Sequence, residues 1–413
     1  MSALSSMSPP MEVVLGDGVS EELQLPRFNS GLQNITGIVN ILQTSPSNTI
    51  YLRPLSNFKT WINVIIWLCE QQEVFYLTIY GALSSQSMSW DTGSRRLDNG
   101  LASVVGIDEV QKQGILGNGV VVGITDSGLY LDHDQFDQSG PREFNRINLN
   151  ARKIVLYHVF GDKVDQSETV TCGHGTHVSG LLAGDSYSSK SFHVGIAPNA
   201  KIAFADIGTQ DPQCANIEGI KCPVNLATPS NVKELLEPQF KAGARIFSFS
   251  WGLPGDDYSR QARDLDQFVY ENPETLIVIA AGNSGEEGAR SITSPAGAKN
   301  VITVGASLNS FESLSKSFDC PNVINARTVA AFSSQGPTGD GRLKPDLVAP
   351  GQILISAQSE ASNSVAKSEK MCHLQGTSQA TPVVAGLAVL IHEWLRDGWW
   401  KAGVMDKSFA HVG

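Results

Sequence analysis

Short, continuous apolar runs alternate with stretches of helical periodicity over most of the chain after residue 106. Uninterrupted runs of this kind are typical of strands that are buried on both faces. They fall at residues 120–125, 201–205, 245–250, 275–281, 301–304 and 347–349. Residues 231–242 and 260–270 instead place their apolar side chains on one helical face, and Gly243 signals the end of the first of these helices. The alternation predicts an α/β fold in which helices cover both faces of a mainly parallel sheet.

A glycine-led turn at residues 376–382 precedes the apolar run 383–391 and predicts a buried helix with Ser378 in its first turn. Gly376 has no Cβ, so the backbone there can lie close to a substrate. The start of a helix offers unpaired N–H groups and a positive dipole end, which stabilise a negatively charged oxygen. Ser378 is therefore a candidate nucleophile for attack on a carbonyl. The alternative is helix capping, which is a common role of serine.

Polar residues follow several of the predicted strands. Ligands of parallel α/β sheets bind at the carboxyl ends of the strands, which here means Asp126, residues 250–252 and residues 281–283. Asp126 is consistent with a helix cap, a metal ligand or a carboxylate that orients a catalytic base. Asn283 either stabilises a turn or donates a hydrogen bond to an oxyanion.

His174 and His177 lie in a glycine-rich segment, residues 173–180. Two histidines on one helical face are candidate metal ligands. A zinc site would usually have the H-E-x-x-H pattern, whose spacing and glutamate are missing here. The alternative is that His174 is a general base at the start of a helix, where the glycines let substrate and serine come close.

The composition narrows the classes of partner. With 30 Lys+Arg against 41 Asp+Glu the formal net charge is −11, which disfavours nucleic acid and anionic membranes because phosphate would be repelled. The longest apolar cluster, residues 61–69, is too short to span a membrane. Residues 1–15 contain no basic region followed by an apolar one, so no signal peptide is visible.

The six cysteines have none of the spacings of a zinc site. Cys214 with Cys222, and Cys320 with Cys372, are candidate disulfides, but sequence does not fix connectivity. Six cysteines in a chain of 413 residues are also consistent with reduced thiols.

The order Asp126, His174, Ser378 is that of subtilisin and differs from the orders in chymotrypsin and the α/β-hydrolases. Each of these residues lies in its own glycine-containing segment, as Asn283 does. Further segments agree in sequence and order at residues 117–120, 195–200, 250–252, 294–296, 332–337 and 344–351. On these segments the chain resembles the subtilisin-like serine proteases (subtilases, peptidase S8 family) from about residue 106 to about residue 395. The resemblance implies a doubly wound α/β sheet and a serine endopeptidase.

The resemblance also implies roles for the candidate residues. Ser378 would attack the scissile carbonyl, and His174 would take its proton and later pass it to the leaving amine. Asp126 would hold the tautomer of His174, and Asn283 with the Ser378 backbone N–H would form the oxyanion hole. His177 matches no catalytic position and is expected to be a packing residue. The residues lining the substrate cleft would be Ser250, Trp251, Gly252, Ala280, Ala281 and Gly282.

By the same resemblance, residues 1–96 take the place of an inhibitory propeptide, residues 97–396 form the catalytic domain and residues 397–413 a C-terminal tail. Arg95–Arg96 is either a self-processing site or an ordinary solvated charge pair. The expected partners are protein or peptide substrates and the chain's own N-terminal segment as an intramolecular inhibitor. The expected location is secreted or extracellular.

No cofactor is expected for the chemistry. Structural calcium is frequent in the family, but the sequence indicates no ligand set for it. Two alternatives remain at this point. One is a catalytically silent relative that binds peptides without cutting them, because the chain ends soon after the serine helix. The other is a serine esterase, which the missing G-x-S-x-G elbow and the Asp-His-Ser order disfavour.

Overall fold

The structure is a computed structural model of the 413-residue chain. It describes residues 11–15, 30, 41–45, 49–52, 64, 67–68, 74–79, 101–138, 142–163, 165, 172–186, 194–210, 224–229, 231–253, 255, 258–310, 325–360 and 367–410. The chain divides into two compact units, Met1–Trp90 with Leu314–Thr328, and Asp91–Ser313 with Val329–Gly413. The predicted boundary between Arg96 and Leu97 lies outside the described residues.

Four strands form an antiparallel sheet in the first unit. They are β1 Met11–Leu15, β2 Ile41–Ser45, β3 Thr49–Leu52 and β4 Val74–Ile79. The order across the sheet is β2-β3-β1-β4. Strand β1 therefore lies between its two antiparallel partners, β3 and β4.

A larger, parallel sheet forms the second unit. Its strands and those of two small hairpins are β5 Val121–Asp126, β6 Ile154–Val159, β7 Lys201–Asp206, β8 Gly208–Gln210, β9 Val224–Leu226, β10 Ile246–Phe249, β11 Leu276–Ala280, β12 Ile302–Ser307, β13 Leu347–Pro350, β14 Leu354–Ala357 and β15 Met371–Leu374. Seven of them pair in the order β13-β12-β11-β10-β5-β7-β6. Every adjacent pair in this sheet is parallel. Strands β8 and β9, and strands β14 and β15, form the antiparallel hairpins.

Helices cover both faces of the large sheet. They are α1 Leu101–Val105, α2 Asp108–Lys112, α3 His174–Ala183, α4 Lys233–Lys241, α5 Arg260–Glu271 and α6 Thr377–Arg396, with short 3₁₀ turns at Gly285–Glu287 and Lys407–Phe409. Two separate apolar clusters contain the side chains of these helices. One includes Val178 of α3 and Val383 of α6, and the other includes Leu235 of α4 and Leu265 of α5.

Alternate residues of the central strands enter opposite clusters. In β10, Ile246 joins the cluster of α3 and α6, whereas Phe247 joins that of α4 and α5. In β11, Val278 and Ile279 divide in the same way. Side chains of a strand point alternately to the two faces, so a strand covered on both sides needs apolar residues at every position. The predicted doubly wound, mainly parallel α/β sheet is confirmed.

A disulfide bond joins Cys172 to Cys372, across 200 residues of sequence and a Cα–Cα distance of 6.3 Å. Cys172 precedes α3 by one residue, Gly173, and Cys372 lies within β15. The predicted pairing of Cys320 with Cys372 is therefore wrong, because the fold brings the segment before α3 beside β15. Cys214, Cys222 and Cys320 lie outside the described residues.

Candidate active site

The candidate residues gather at the carboxyl edge of the parallel sheet. Thr125 of β5 pairs with Phe249 of β10, so Asp126 and Ser250 follow paired residues on adjacent strands. Strand β11 lies on the other side of β10 and ends at Ala280, just before residues 281–283. The order of strands thus brings three polar segments, far apart in sequence, to one edge.

Asp126 and His174 are in direct contact. The distance from His174 Nδ1 to Asp126 Oδ1 is 2.7 Å. The Asp126 side chain is fully buried, whereas that of His174 is 27% exposed. Gly175 makes this approach possible, because a Cβ there would lie 2.1 Å from the Gly128 carbonyl oxygen. Since the carboxylate faces Nδ1, that nitrogen carries the proton and Nε2 has the free lone pair.

Burial and charge act in opposite directions on His174. Burial lowers the pKa of His174, but attraction to Asp126, the hydrogen bond to it and the charge of Asp165 together raise the pKa above its usual value. A histidine with a raised pKa is a stronger base when it is neutral. The arrangement is therefore suited to accepting a proton at Nε2.

Ser378 is the second residue of α6, and its hydroxyl does not cap the helix. Ser378 Oγ donates to the Ser250 carbonyl oxygen at 2.9 Å. Ser250 Oγ donates in return to the Ser378 carbonyl oxygen at 2.8 Å. These reciprocal bonds fix the first turn of α6 against the end of β10. To pass its proton to His174, the Ser378 hydroxyl would have to turn its O–H bond from the Ser250 carbonyl oxygen towards Nε2.

Asn283 is oriented by the residue that precedes Ser378. Its Oδ1 accepts hydrogen bonds from Thr377 N at 2.8 Å and from Thr377 Oγ1 at 3.0 Å. With the oxygen held in this way, Nδ2 is the atom directed away from Thr377. A Cβ on Gly376 would lie 3.2 Å from that Nδ2. The amide donor therefore lies beside the helix start, and Gly376 leaves it accessible.

The six predicted cleft residues differ in environment. Ser250, Trp251, Ala280 and Ala281 are buried, and Trp251 stacks on Phe249 with ring centroids 5.4 Å apart. Gly252 is exposed, and the Gly282 N–H donates to Thr377 Oγ1 at 3.1 Å. Ser250 and Gly282 thus contact the start of α6 directly. The side chain of Ala281 belongs instead to the apolar cluster of α4 and α5, and that of Ala280 is buried.

His177 is fully buried on α3. Its Nε2 lies 3.1 Å from the Leu354 carbonyl oxygen and 3.3 Å from that of Cys372. Burial, together with the charge of His174, lowers the pKa of His177 to about 3. The ring is neutral and donates from Nε2, as a packing residue would.

Two residues that support the site were not predicted. Thr377, which orients Asn283, lies within the glycine-led turn 376–382, but that pattern assigns it no role of its own. Asp165 accepts hydrogen bonds from Ser127 Oγ at 3.0 Å and from Thr176 N at 2.7 Å. The segment around it has no glycine frame and no strand pattern that could have marked it.

The described residues bear on whether the chain could hold a metal ion or cross a membrane. No group of three or more His, Cys, Asp or Glu side chains among them is placed to hold a metal ion. The helices in this part of the chain are all too short or too polar to cross a bilayer.

The model of the subtilase family (Peptidase_S8) matches residues 117–407, most of the chain and all the candidate residues. The chain belongs to the subtilase family. The serine protease/ABC transporter B family protein tagD of Dictyostelium discoideum is 32% identical to it, over 98% of this chain and 26% of tagD. The serine protease AprX of Bacillus subtilis (strain 168) is 31% identical, over 68% of this chain and 58% of AprX. The recognition of a subtilisin-like serine protease is thereby confirmed.

The chain covers only part of the length of some of these relatives. It spans between 20% and 26% of the length of three Dictyostelium discoideum relatives. Among solved structures, the prenylagaramide maturation protease PagA aligns over 73% of this chain and 83% of its own, with 19% identity and a TM-score of 0.47. The evidence for the doubly wound α/β fold is the strand order and the two apolar clusters described above.

Proposed function

We propose that this subtilase is a serine endopeptidase in which Asp126, His174 and Ser378 form the catalytic triad. The main support is the 2.7 Å contact between His174 Nδ1 and the buried Asp126 carboxylate, at the sheet edge that also carries Ser378. Family membership supports the same reaction. Substrates would be proteins or peptides, bound in extended form along residues 250–252 and 280–282.

The reaction would begin with proton transfer from Ser378 Oγ to His174 Nε2 as Oγ attacks the scissile carbonyl carbon. The C–N bond of the tetrahedral intermediate then breaks, and Nε2 gives the proton to the leaving amine. Water attacks the acyl-enzyme in a second, equivalent cycle that frees the acid and restores Ser378. Asp126 would hold Nδ1–H of His174 and stabilise the imidazolium that forms twice in each turnover.

Asn283 Nδ2 and the Ser378 backbone N–H would stabilise the oxyanion. Thr377 holds Asn283 Oδ1 through two hydrogen bonds, which directs the amide donor in advance of the reaction. A fixed donor gains more from the developing negative charge than one that must first reorient. Removal of a donor of this kind typically lowers turnover by about 10²–10³-fold.

The test is labelling of the purified chain with a fluorophosphonate probe, followed by peptide mapping. We expect labelling at Ser378, none in Ser378→Ala, and a large loss of labelling rate in His174→Ala. Asn283→Ala should still be labelled, but its kcat for peptide hydrolysis should fall by about 10²-fold, because it removes one oxyanion donor. Asn272→Ala is a matched control, since Asn272 is an amide whose Nδ2 donates to Phe268 O at the end of α5.

Absence of labelling in a folded wild-type chain, with no recovery after its N-terminal segment is removed, would contradict the proposal. That result would favour a catalytically silent subtilase that binds peptides. Labelling without peptide hydrolysis, but with ester hydrolysis, would favour an esterase instead.

Residues 1–96 are proposed to act as an intramolecular inhibitor that the enzyme removes itself. The position of this segment before the catalytic domain supports the idea, as does the dibasic pair Arg95–Arg96. We expect the wild-type chain to acquire a new N-terminus near Leu97 on incubation and Ser378→Ala to remain intact. Mass spectrometry of both chains tests this, and processing of the Ser378→Ala chain would contradict it.

Secretion is proposed on the basis of the Cys172–Cys372 disulfide, because such bonds persist mainly in oxidising compartments. No cofactor is proposed for the chemistry, since protein groups carry every proton. A structural calcium ion would appear as loss of thermal stability in EDTA that added calcium reverses.

A further inference from the structure

The first turn of α3 carries His174, and its N-cap residue has no side chain. That residue is Gly173, with a φ of 75°. A Cβ there would lie 2.3 Å from Ser359 Cβ and 2.7 Å from Asp165 Oδ2, so only glycine fits. A helix start normally has its free N–H groups satisfied by an N-cap side chain. In α3 the acceptors must therefore come from elsewhere in the chain.

Two distant residues supply those acceptors. Ser127 Oγ accepts from Gly175 N at 3.0 Å, and Asp165 Oδ2 accepts from Thr176 N at 2.7 Å. The two acceptors are themselves joined, because Ser127 Oγ donates to Asp165 Oδ1 at 3.0 Å. Ser127 directly follows Asp126, and Gly175 directly follows His174. The network therefore links the neighbours of both partners in the Asp126–His174 contact.

Asp165 is itself firmly placed. It is 2% exposed, and its carbonyl oxygen accepts a hydrogen bond from Ser359 Oγ. Ser359 N donates in turn to the Cys172 carbonyl oxygen at 2.9 Å. Cys172 is the residue that is joined to β15 by the disulfide bond. The carboxylate is thus held from its backbone side as well as by its two donors.

The charge state of Asp165 also bears on His174. Burial raises the pKa of Asp165 to about 7, against the hydrogen bonds from Thr176 and Ser127, which lower it. The charge of Asp126 contributes to this rise. A buried acid so close to a catalytic pair costs stability when it ionises, and such groups concentrate at functional sites.

We propose that Asp165, acting with Ser127, is a positioning residue that sets His174 against Asp126 by taking the place of the missing N-cap side chain of α3. This inference rests on the proposed function, in which His174 is the general base. Asp165 contacts neither substrate nor the reacting atoms. Its effect would therefore fall on kcat rather than on KM, since it orients the base and binds nothing.

The test compares Asp165→Ala with Asp165→Asn in the full chain, by hydrolysis of a chromogenic peptide and by thermal unfolding. Asp165→Ala loses both carboxylate oxygens, the acceptors for Thr176 N–H and for the Ser127 hydroxyl. We expect kcat to fall by about tenfold or more with KM within about twofold, because small displacements of a catalytic group cost rate steeply. Asp165→Asn keeps an oxygen for Thr176 N–H. It should restore most of the lost kcat.

The matched control is Asp266→Ala. Asp266 is also buried and accepts from Asn300 N at 2.7 Å and from Lys299 N at 3.2 Å, but it lies on α5. This variant should unfold at lower temperature and keep its kcat per folded molecule. A fall in kcat equal to that of Asp165→Ala would overturn the proposal, because general loosening would then explain both.

The proposal is also overturned if folded Asp165→Ala keeps kcat within twofold of wild type. If Asp165→Ala does not fold, Ser127→Ala replaces it, since it removes the hydroxyl shared by Asp165 and Gly175. An unchanged kcat in that variant overturns the proposal, and a several-fold fall at constant KM supports it. A wild-type chain that stays without activity or labelling after removal of its N-terminal segment would instead refute the proposed function, so the two failures are distinguishable.

Discussion

Glu393 joins the last turns of α6 to the loop before β5, and its removal is the most direct test of how this fold is held together. The side chain is 2% exposed. Its Oε2 accepts from Leu116 N at 2.9 Å, Gly117 N at 2.5 Å and Asn118 N at 3.1 Å. Its Oε1 accepts from Asn118 Nδ2 at 2.7 Å. One carboxylate thus satisfies three consecutive backbone N–H groups.

The cost of Glu393→Ala follows from these contacts. The bond to Gly117 N is buried, and a buried N–H without a partner costs about 1–3 kcal/mol. The bonds to Leu116 N and Asn118 N are partly buried, so water can replace the carboxylate and each loss costs about 0.5–1.5 kcal/mol. We therefore expect Glu393→Ala to lower the free energy of unfolding by roughly 4 kcal/mol. Glu393→Gln keeps an acceptor oxygen and loses the charge, so it should cost about 1–2 kcal/mol.

Thermal and urea unfolding measure both changes. The Ser378→Ala background prevents self-digestion if the enzyme is active, and the Tm of Glu393→Ala should fall by roughly 6 °C. Glu237→Ala is the control, because the Glu237 side chain is 57% exposed on α4 and pairs with Lys241 at 3.5 Å. An exposed pair of this kind should change the free energy of unfolding by no more than about 0.5 kcal/mol.

The expected effect is on stability alone. Glu393 and Ser378 are fifteen residues apart on α6, which places them about 22 Å apart along the helix axis. Fluorophosphonate labelling per folded molecule should therefore not change in Glu393→Ala. A loss of stability below about 1 kcal/mol, or one equal to that of Glu237→Ala, would refute the reasoning, since the N–H groups would then not depend on the carboxylate.

Two further predictions concern the disulfide and pH. Reduction of Cys172–Cys372 opens a constraint across 200 residues, which typically costs about 2–5 kcal/mol, so a reductant should lower the Tm and slow labelling of Ser378. In the Cys172→Ser, Cys372→Ser double variant, a reductant should change neither the Tm nor the labelling rate. If the double variant still responds to the reductant, the effect belongs to other cysteines. Burial raises the pKa of Asp206 from 3.8 to about 7, against hydrogen bonds from Tyr157 and Gly208. Because the folded-state pKa is the higher one, the native state holds the extra proton, and the free energy of unfolding falls as pH rises from about 4 to 7. Asp206→Asn should make the Tm less dependent on pH in this range, and an equal dependence would contradict the assignment.

The sequence predicted the fold well where burial is symmetrical. Strands β5, β7, β10 and β11 have apolar residues at nearly every position because clusters of side chains cover both of their faces. Strand β6 was not predicted. It lies at the edge of the sheet, yet its residues 154–157 form a continuous apolar run that is buried at every position, so the sequence pattern does indicate a strand here.

The candidate residues were predicted for a different reason. Asp126 and Asn283 follow predicted strands closely, and the carboxyl ends of parallel strands meet at one edge, so periodicity alone placed them together. Asp165 had no such marker, because its role depends on Gly173, eight residues away, which leaves the start of α3 without a capping side chain. The partner of Cys372 was equally hidden, since spacing along the chain carries no information about two segments that the fold brings together.

The register between β5 and β10 connects the fold with the candidate site. Thr125 pairs with Phe249, which sets Asp126 beside Ser250 and hence the Asp126–His174 contact beside the first turn of α6. A slip of one residue would send Phe249 to the opposite face, out of its cluster. The same alternation of apolar side chains that fills the two cores therefore also holds the halves of the site in line. Substitutions at the ends of these strands should consequently affect stability and turnover together, whereas Glu393→Ala should affect stability alone.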